Sequence, residues 1–161
     1  MPFLLKNFQQ RTVEGMEKFL AALAEESEKY ERVPEEVRKE YGEINWPEKA
    51  WHELFPEGNS NHAYSAKKTG HGKHCPHFCL KLPTGGGKTL MATYAIEQYL
   101  KHLRKEPTGL VLWIVPSEQI FAQTLNALKD RSHPYREKLD DITGGHIKVV
   151  TKKDNFSPQD V

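Results

Sequence analysis

Leu82-Pro83-Thr84-Gly85-Gly86-Gly87-Lys88-Thr89 stands where the hydropathy pattern of this chain changes period. Before it, His77-Phe78-Cys79-Leu80-Lys81-Leu82 reads as a short strand stopped by Pro83. After it, Lys88 to Leu103 carries Ala92, Ile96, Tyr99 and Leu103 at 4-3-4 spacing, the repeat of a helix. Three successive glycines let a backbone turn tightly and aim consecutive N–H groups inward, a nest for phosphate oxygens. The helix that follows adds the positive end of its dipole. In such a loop Lys88 reaches the β- and γ-phosphates and the Thr89 hydroxyl ligates Mg²⁺, with Thr84, Gly85, Gly86 and Gly87 lining the cradle. A strict phosphate-loop pattern has Gly where Leu82 stands, so the match is to the shorter T-G-x-G-K-T form. A glycine-rich turn that binds nothing is the competing reading.

Outward from the loop, strand and helix patterns alternate. Gly109 opens Leu110-Val111-Leu112-Trp113-Ile114-Val115, a continuous apolar run stopped by Pro116 and suited to a strand covered on both faces. Ser117 is a natural N-cap for a helix to about Lys129, with Ile120, Phe121, Thr124, Leu125 and Leu128 on one side. His146-Ile147-Lys148-Val149-Val150-Thr151 reads as a third strand after Gly144-Gly145. The alternation predicts an α/β domain with a parallel sheet and helices on both faces.

The first 76 residues read differently. Val13, Met16, Leu20 and Leu23 mark a helix within residues 3–24, and residues 25–76 form a polar insertion interrupted by Pro34, Pro47 and Pro56. Pro34 to Gly42 fits a short helix with Pro at its start and Gly at its end. Trp46, Trp51 and Phe55 are too apolar for a free linker.

With 161 residues the chain has room for one domain, or one and part of another. Mean hydropathy is −0.71, and no apolar run approaches the ~20 residues of a spanning helix, which argues against a membrane protein. Met1-Pro2-Phe3-Leu4-Leu5-Lys6 lacks the basic region and apolar length of a signal peptide. Two cysteines cannot make a disulfide framework, so a reduced, cytoplasmic protein is expected. The net charge of +1 hides an asymmetry: residues 1–60 hold 8 basic against 13 acidic side chains, residues 61–161 hold 15 against 9. A basic C-terminal part fits a polyanionic partner, and scattered solvated lysines fit equally.

Pro83-Thr84-Gly85-Gly86-Gly87-Lys88-Thr89 resembles motif I of superfamily 2 helicases and translocases, and Leu110 to Ile120 resembles their motif Ia. Pro116, Ser117 and Gln123 fall on the Pro, Thr and final Gln of the DEAD-box form P-T-R-E-L-A-x-Q, with Glu118 in place of its Arg. Closer still is the resemblance to helicase-like proteins related to the Res subunit of type III restriction enzymes. Their P-T-G-G-G-K-T, W-I-V-P-S-E and D-R-x-H-P-Y-R segments recur here, the last as Asp130-Arg131-Ser132-His133-Pro134-Tyr135-Arg136. The resemblance covers residues 3–24 and 77–161.

That resemblance implies a partial, truncated RecA-like domain over 77–161, with a three-layer parallel sheet that binds ATP and Mg²⁺. It implies adenine contact by Gln9 within Phe8-Gln9, for which a Gln amide has the right donor and acceptor. It places Pro116, Ser117 and Gln123 against a nucleic-acid backbone, double-stranded DNA by this family's habit, with a modification or other restriction subunit as a further partner. In the family, D-E-A-D or D-E-x-H supplies the Mg²⁺-side carboxylate; neither occurs here, and Asp140-Asp141 follows no apolar run. The chain therefore reads as an N-terminal piece of a larger motor that binds nucleotide without turning it over. A small phosphotransferase and a non-catalytic interaction fragment are the alternatives. The second would be stapled by zinc at His71, His74, Cys75, His77 and Cys79, although H-x-x-H-C-x-H-x-C is not an ordinary structural zinc spacing.

Overall fold

The computed structural model describes residues 4–56, 63–154 and 157. Phe3 of the expected first helix, the Met1–Phe3 start and residues 158–161 lie outside these. Six α-helices run in order: α1 (Asn7–Glu31), α2 (Glu35–Tyr41), α3 (Trp46–Leu54), α4 (Lys88–Tyr99), α5 (Glu118–Lys129) and α6 (Pro134–Thr143). The chain divides into two compact units, residues 11–81 and residues 1–10 with 82–161.

In the unit of residues 11–81, the stripe on α1 does what its spacing predicts. Met16, Phe19, Leu20 and Leu23 are all buried, and the helix continues to Glu31 on a polar tail held by Glu26–Lys29 and Glu28–Arg32 pairs. The Phe19 ring meets Trp51 of α3 edge-on at 5.4 Å and Phe78 at 5.8 Å, and Trp51 stacks obliquely on Phe55 at 4.6 Å. The aromatic residues of the polar stretch are thus a core in their own right. Asn45 caps α3 by accepting from the Glu48 N–H, and Pro47 sits in its first turn, where a missing N–H costs nothing. α2 starts after Pro34 and ends at Gly42 with φ +87°, and it buries none of its residues.

In the other unit, α6 packs against both α4 and α5. Leu90 and Met91 of α4, Leu100, Leu128 of α5 and Leu139 of α6 are buried. Lys138 of α6 reaches Glu97 of α4 at 2.6 Å and lies 4.5 Å from the centre of the Tyr94 ring. The expected stripe of Ala92, Ile96, Tyr99 and Leu103 is displaced, with Tyr99 exposed. Past Tyr99 the coil widens to a π-turn over Leu100–Arg104 and ends at Lys105 in the left-handed region, φ +56°. Widening shifts every later residue around the axis, which a 3.6-residue period does not anticipate. On α5, likewise, Leu128 is buried while Ile120 and Phe121 are exposed.

The expected three-layer parallel sheet is absent among the described residues. Their only β-pairing is an isolated antiparallel bridge between Lys68 and His74. Residues 77–82, 110–115 and 146–151 belong to no strand. Leu112 and Ile114 are 82% and 81% exposed, not covered on both faces. The apolar composition of these runs favours extended backbone, but a strand exists only where a second segment completes its hydrogen-bond ladder. That partner is not encoded in the run itself. The unit is helical, and the reading of an α/β RecA-like domain is overturned here.

Candidate nucleotide-binding loop

Pro83 to Thr89 forms a tight turn running directly into α4. The Gly86 N–H donates to the Pro83 carbonyl at 3.0 Å, closing the turn. Gly87 is the N-cap of α4 at φ +82°, a left-handed conformation that a side chain disfavours. A glycine cap brings no side-chain oxygen to the first turn, and α4 has no side-chain cap bond. By contrast α3, α5 and α6 are capped by Asn45, Ser117 and His133. The first-turn N–H groups of α4 are therefore left for another acceptor, the condition that suits an anion.

Around these donors stand the side chains that the sequence singled out. Thr84, Gly85 and Lys88 are exposed, Thr89 is half-buried and Gly86 is buried. The Lys88 Nζ donates to the Pro83 carbonyl at 3.1 Å, folded back over its own loop. Gln9 belongs to the same unit and lies against the loop: its Nε2 donates to the Gly86 carbonyl at 3.1 Å, and its Oε1 accepts from the Lys6 N–H at 2.9 Å. Phe8 beside it is exposed. Loop, lysine and glutamine thus come together across 77 positions of sequence. The donor set fits a nucleotide triphosphate with its Mg²⁺: uncapped N–H groups and an exposed ammonium for phosphate, and a hydroxyl at Thr89 for the cation.

Pro116, Ser117 and Gln123 are all exposed, at the start and on the surface of α5. Ser117 caps the helix, its Oγ accepting from the Ile120 N–H at 3.3 Å. That bond uses a lone pair, so the hydroxyl can still donate its proton.

The His/Cys segment shows a different character. Cys75 and Cys79 are free and exposed, and among the described residues no group of three or more His, Cys, Asp or Glu could hold a metal ion. His77 Nδ1 lies 3.5 Å from the Tyr64 hydroxyl, and their rings are 5.2 Å apart. Burial first, then the charges at Cys75 and Glu48, hold the Tyr64 hydroxyl above its usual range.

Arg136 carries a role that composition did not signal. It is only 5% exposed, and its guanidinium donates to Asp140 at 2.8 Å, to the Leu128 carbonyl at 3.0 Å and to the Ile147 carbonyl at 3.4 Å. One side chain thereby ties the end of α5, the middle of α6 and the segment after it. Its i,i+4 spacing to Asp140 is visible in the sequence; the two carbonyls are not.

Among the described residues no helix is long and apolar enough to cross a membrane. No curated protein and no solved structure matches the chain. The family described as type III restriction enzyme, res subunit, matches it over residues 6–157, from before Gln9 and the glycine loop to beyond Arg136. The chain therefore belongs to the family of type III restriction enzyme res subunits, a helicase-like, ATP-binding motor family.

Proposed function

We propose that this chain is the ATP-binding portion of a DNA helicase or translocase motor of the res-subunit kind, working in the cytoplasm. The observation that carries the reading is the loop itself: a left-handed glycine cap, a helix start without a side-chain cap, and an exposed lysine beside them. Mg·ATP, when bound, supplies the phosphoanhydride whose cleavage drives such motors. The first-turn N–H groups of α4 would hold its phosphates, Lys88 would leave the Pro83 carbonyl to neutralise their charge, and the Thr89 hydroxyl would meet Mg²⁺. Pro116, Ser117 and Gln123 would face the phosphate backbone of double-stranded DNA, with the Ser117 proton as a donor. A modification or other restriction subunit is the further partner this family reading implies.

The test is calorimetry with Mg·ATP on the chain, followed by anisotropy with labelled duplex DNA. The expected result is nucleotide binding with weak, salt-sensitive DNA binding of no sequence preference, since backbone contacts carry no sequence information. Tight binding to one sequence at physiological salt contradicts the backbone reading. Absence of nucleotide binding contradicts the whole.

A further inference from the structure

We propose that Gln9 is a positioning residue of the phosphate loop, acting on the Gly86–Gly87 peptide rather than reading the base. This role rests on the nucleotide reading of the loop and deepens it.

The side chain is 8% exposed although it stands in the first turn of α1. Its amide bridges two backbones: the oxygen accepts from Lys6 N–H, and the nitrogen donates to the Gly86 carbonyl. Two-point tethering fixes the amide plane, so the Gly86 carbonyl is met by a donor with little freedom. No peptide bond among the described residues is cis. In a planar trans peptide the C=O and the next N–H point in opposite directions. Holding the Gly86 carbonyl therefore turns the Gly87 N–H away from Gln9. A Cβ on Gly87 would stand 2.8 Å from the Gln9 Nε2, so the absence of a side chain there is what lets the amide close on the loop.

Reading adenine would demand the same two atoms. A bidentate contact takes one Nε2 proton to adenine N7 and one Oε1 lone pair from adenine N6. An amide has a second proton and a second lone pair to offer. On a side chain this buried, presenting both to a base requires swinging it out and breaking both bonds. The two roles thus make opposite predictions about which part of a nucleotide feels Gln9.

The experiment measures binding of ATP, GTP and inorganic tripolyphosphate, each with Mg²⁺, to the wild-type chain and to Gln9→Ala and Gln9→Glu. Loss of one neutral hydrogen bond predicts that Gln9→Ala weakens all three by a common factor of about three- to tenfold, with the ATP-to-GTP ratio unchanged. Gln9→Glu adds a readout that a merely structural role would not move. As a carboxylate it sets an acceptor against the Gly86 carbonyl; once protonated it can donate again. Its affinity relative to wild type should therefore recover as pH falls from about 8 to about 5, through the carboxyl titration. In the ligand-free variant the Gly87 amide resonance should move over the same range. Because the comparison is within one variant at several pH values, it holds even if Gln9→Ala folds poorly. A collapsed ATP-to-GTP ratio with intact tripolyphosphate binding would instead assign Gln9 to the base. A pH-independent Gln9→Glu ratio, or unchanged affinity for all three ligands, overturns the positioning role while the loop stands. Failure of the wild-type chain to bind any of the three overturns the nucleotide site, and this role with it.

Discussion

The Lys88 ammonium donates to the Pro83 carbonyl across 3.1 Å, so the cation of the loop is already engaged by the loop's own backbone. Both the lysine and Pro83 are exposed, and a hydrogen bond competing with water is worth little. A phosphate exchanges that bond for a charge-paired one. Lys88→Ala should cost ~1.5–3 kcal/mol of nucleotide affinity, roughly ten- to hundredfold, with the melting temperature unchanged. Calorimetry alongside a thermal melt checks both halves; equal affinity in variant and wild type counts against the phosphate loop.

Arg136 predicts the opposite balance. Removing it leaves Asp140 and the Leu128 and Ile147 carbonyls without their shared donor in a site where Arg136 is 5% exposed. Breaking a buried pair from one side typically costs ~3–5 kcal/mol. Arg136→Ala should lower the urea midpoint by a large fraction of the total stability. Asp140→Asn, which keeps an acceptor on a more exposed side chain, should cost less. Equal, small effects in the two variants would show that the guanidinium is not the tie between α5 and α6.

Met91 and Leu112 separate the observed helical unit from the sheet that the sequence led one to expect. Met91 on α4 is 0% exposed, and truncating such a side chain to Ala costs ~2–5 kcal/mol. Leu112 is 82% exposed, and Leu112→Ser should change stability by no more than about 0.5 kcal/mol. Denaturant titrations of both variants are sufficient. A large loss at Leu112 would mean that residues 110–115 are covered after all.

The turn between α5 and α6 should sense acid. The Asp130 carboxylate accepts from the Ser132 hydroxyl at 2.7 Å and from the Ser132 N–H at 2.9 Å, and these bonds hold its pKa below the usual 3.8. A folded value below the unfolded one means stability that is complete above 3.8 and lost as pH falls through the folded value. Following the Ser132 amide resonance down in pH should show a midpoint below 3.8, which Ser132→Ala should raise. A midpoint above 3.8 in the wild type would contradict the hydrogen-bonded turn.

What the sequence determined by itself is what closes over short distances. A helix satisfies its backbone within four residues, so the stripe of Met16, Phe19, Leu20 and Leu23 specifies α1, and Ser117 specifies where α5 begins. The glycine loop is equally local: its conformation at Gly87 and its uncapped helix start follow from residues 83–89 alone. Tertiary structure decided everything that needs a partner from elsewhere in the chain. Whether Leu110–Val115 is a buried strand depends on a second strand, and among the described residues none pairs with it. The π-turn after Tyr99 moved the buried face of α4 off its expected positions. Arg136 shows its i,i+4 partner in the sequence, but the carbonyls of Leu128 and Ile147 carry no letter of their own. Gln9 is the sharpest case: its chemistry was legible as an amide able to donate and accept at once, while its partner, a glycine carbonyl 77 positions away, exists only once the chain has folded.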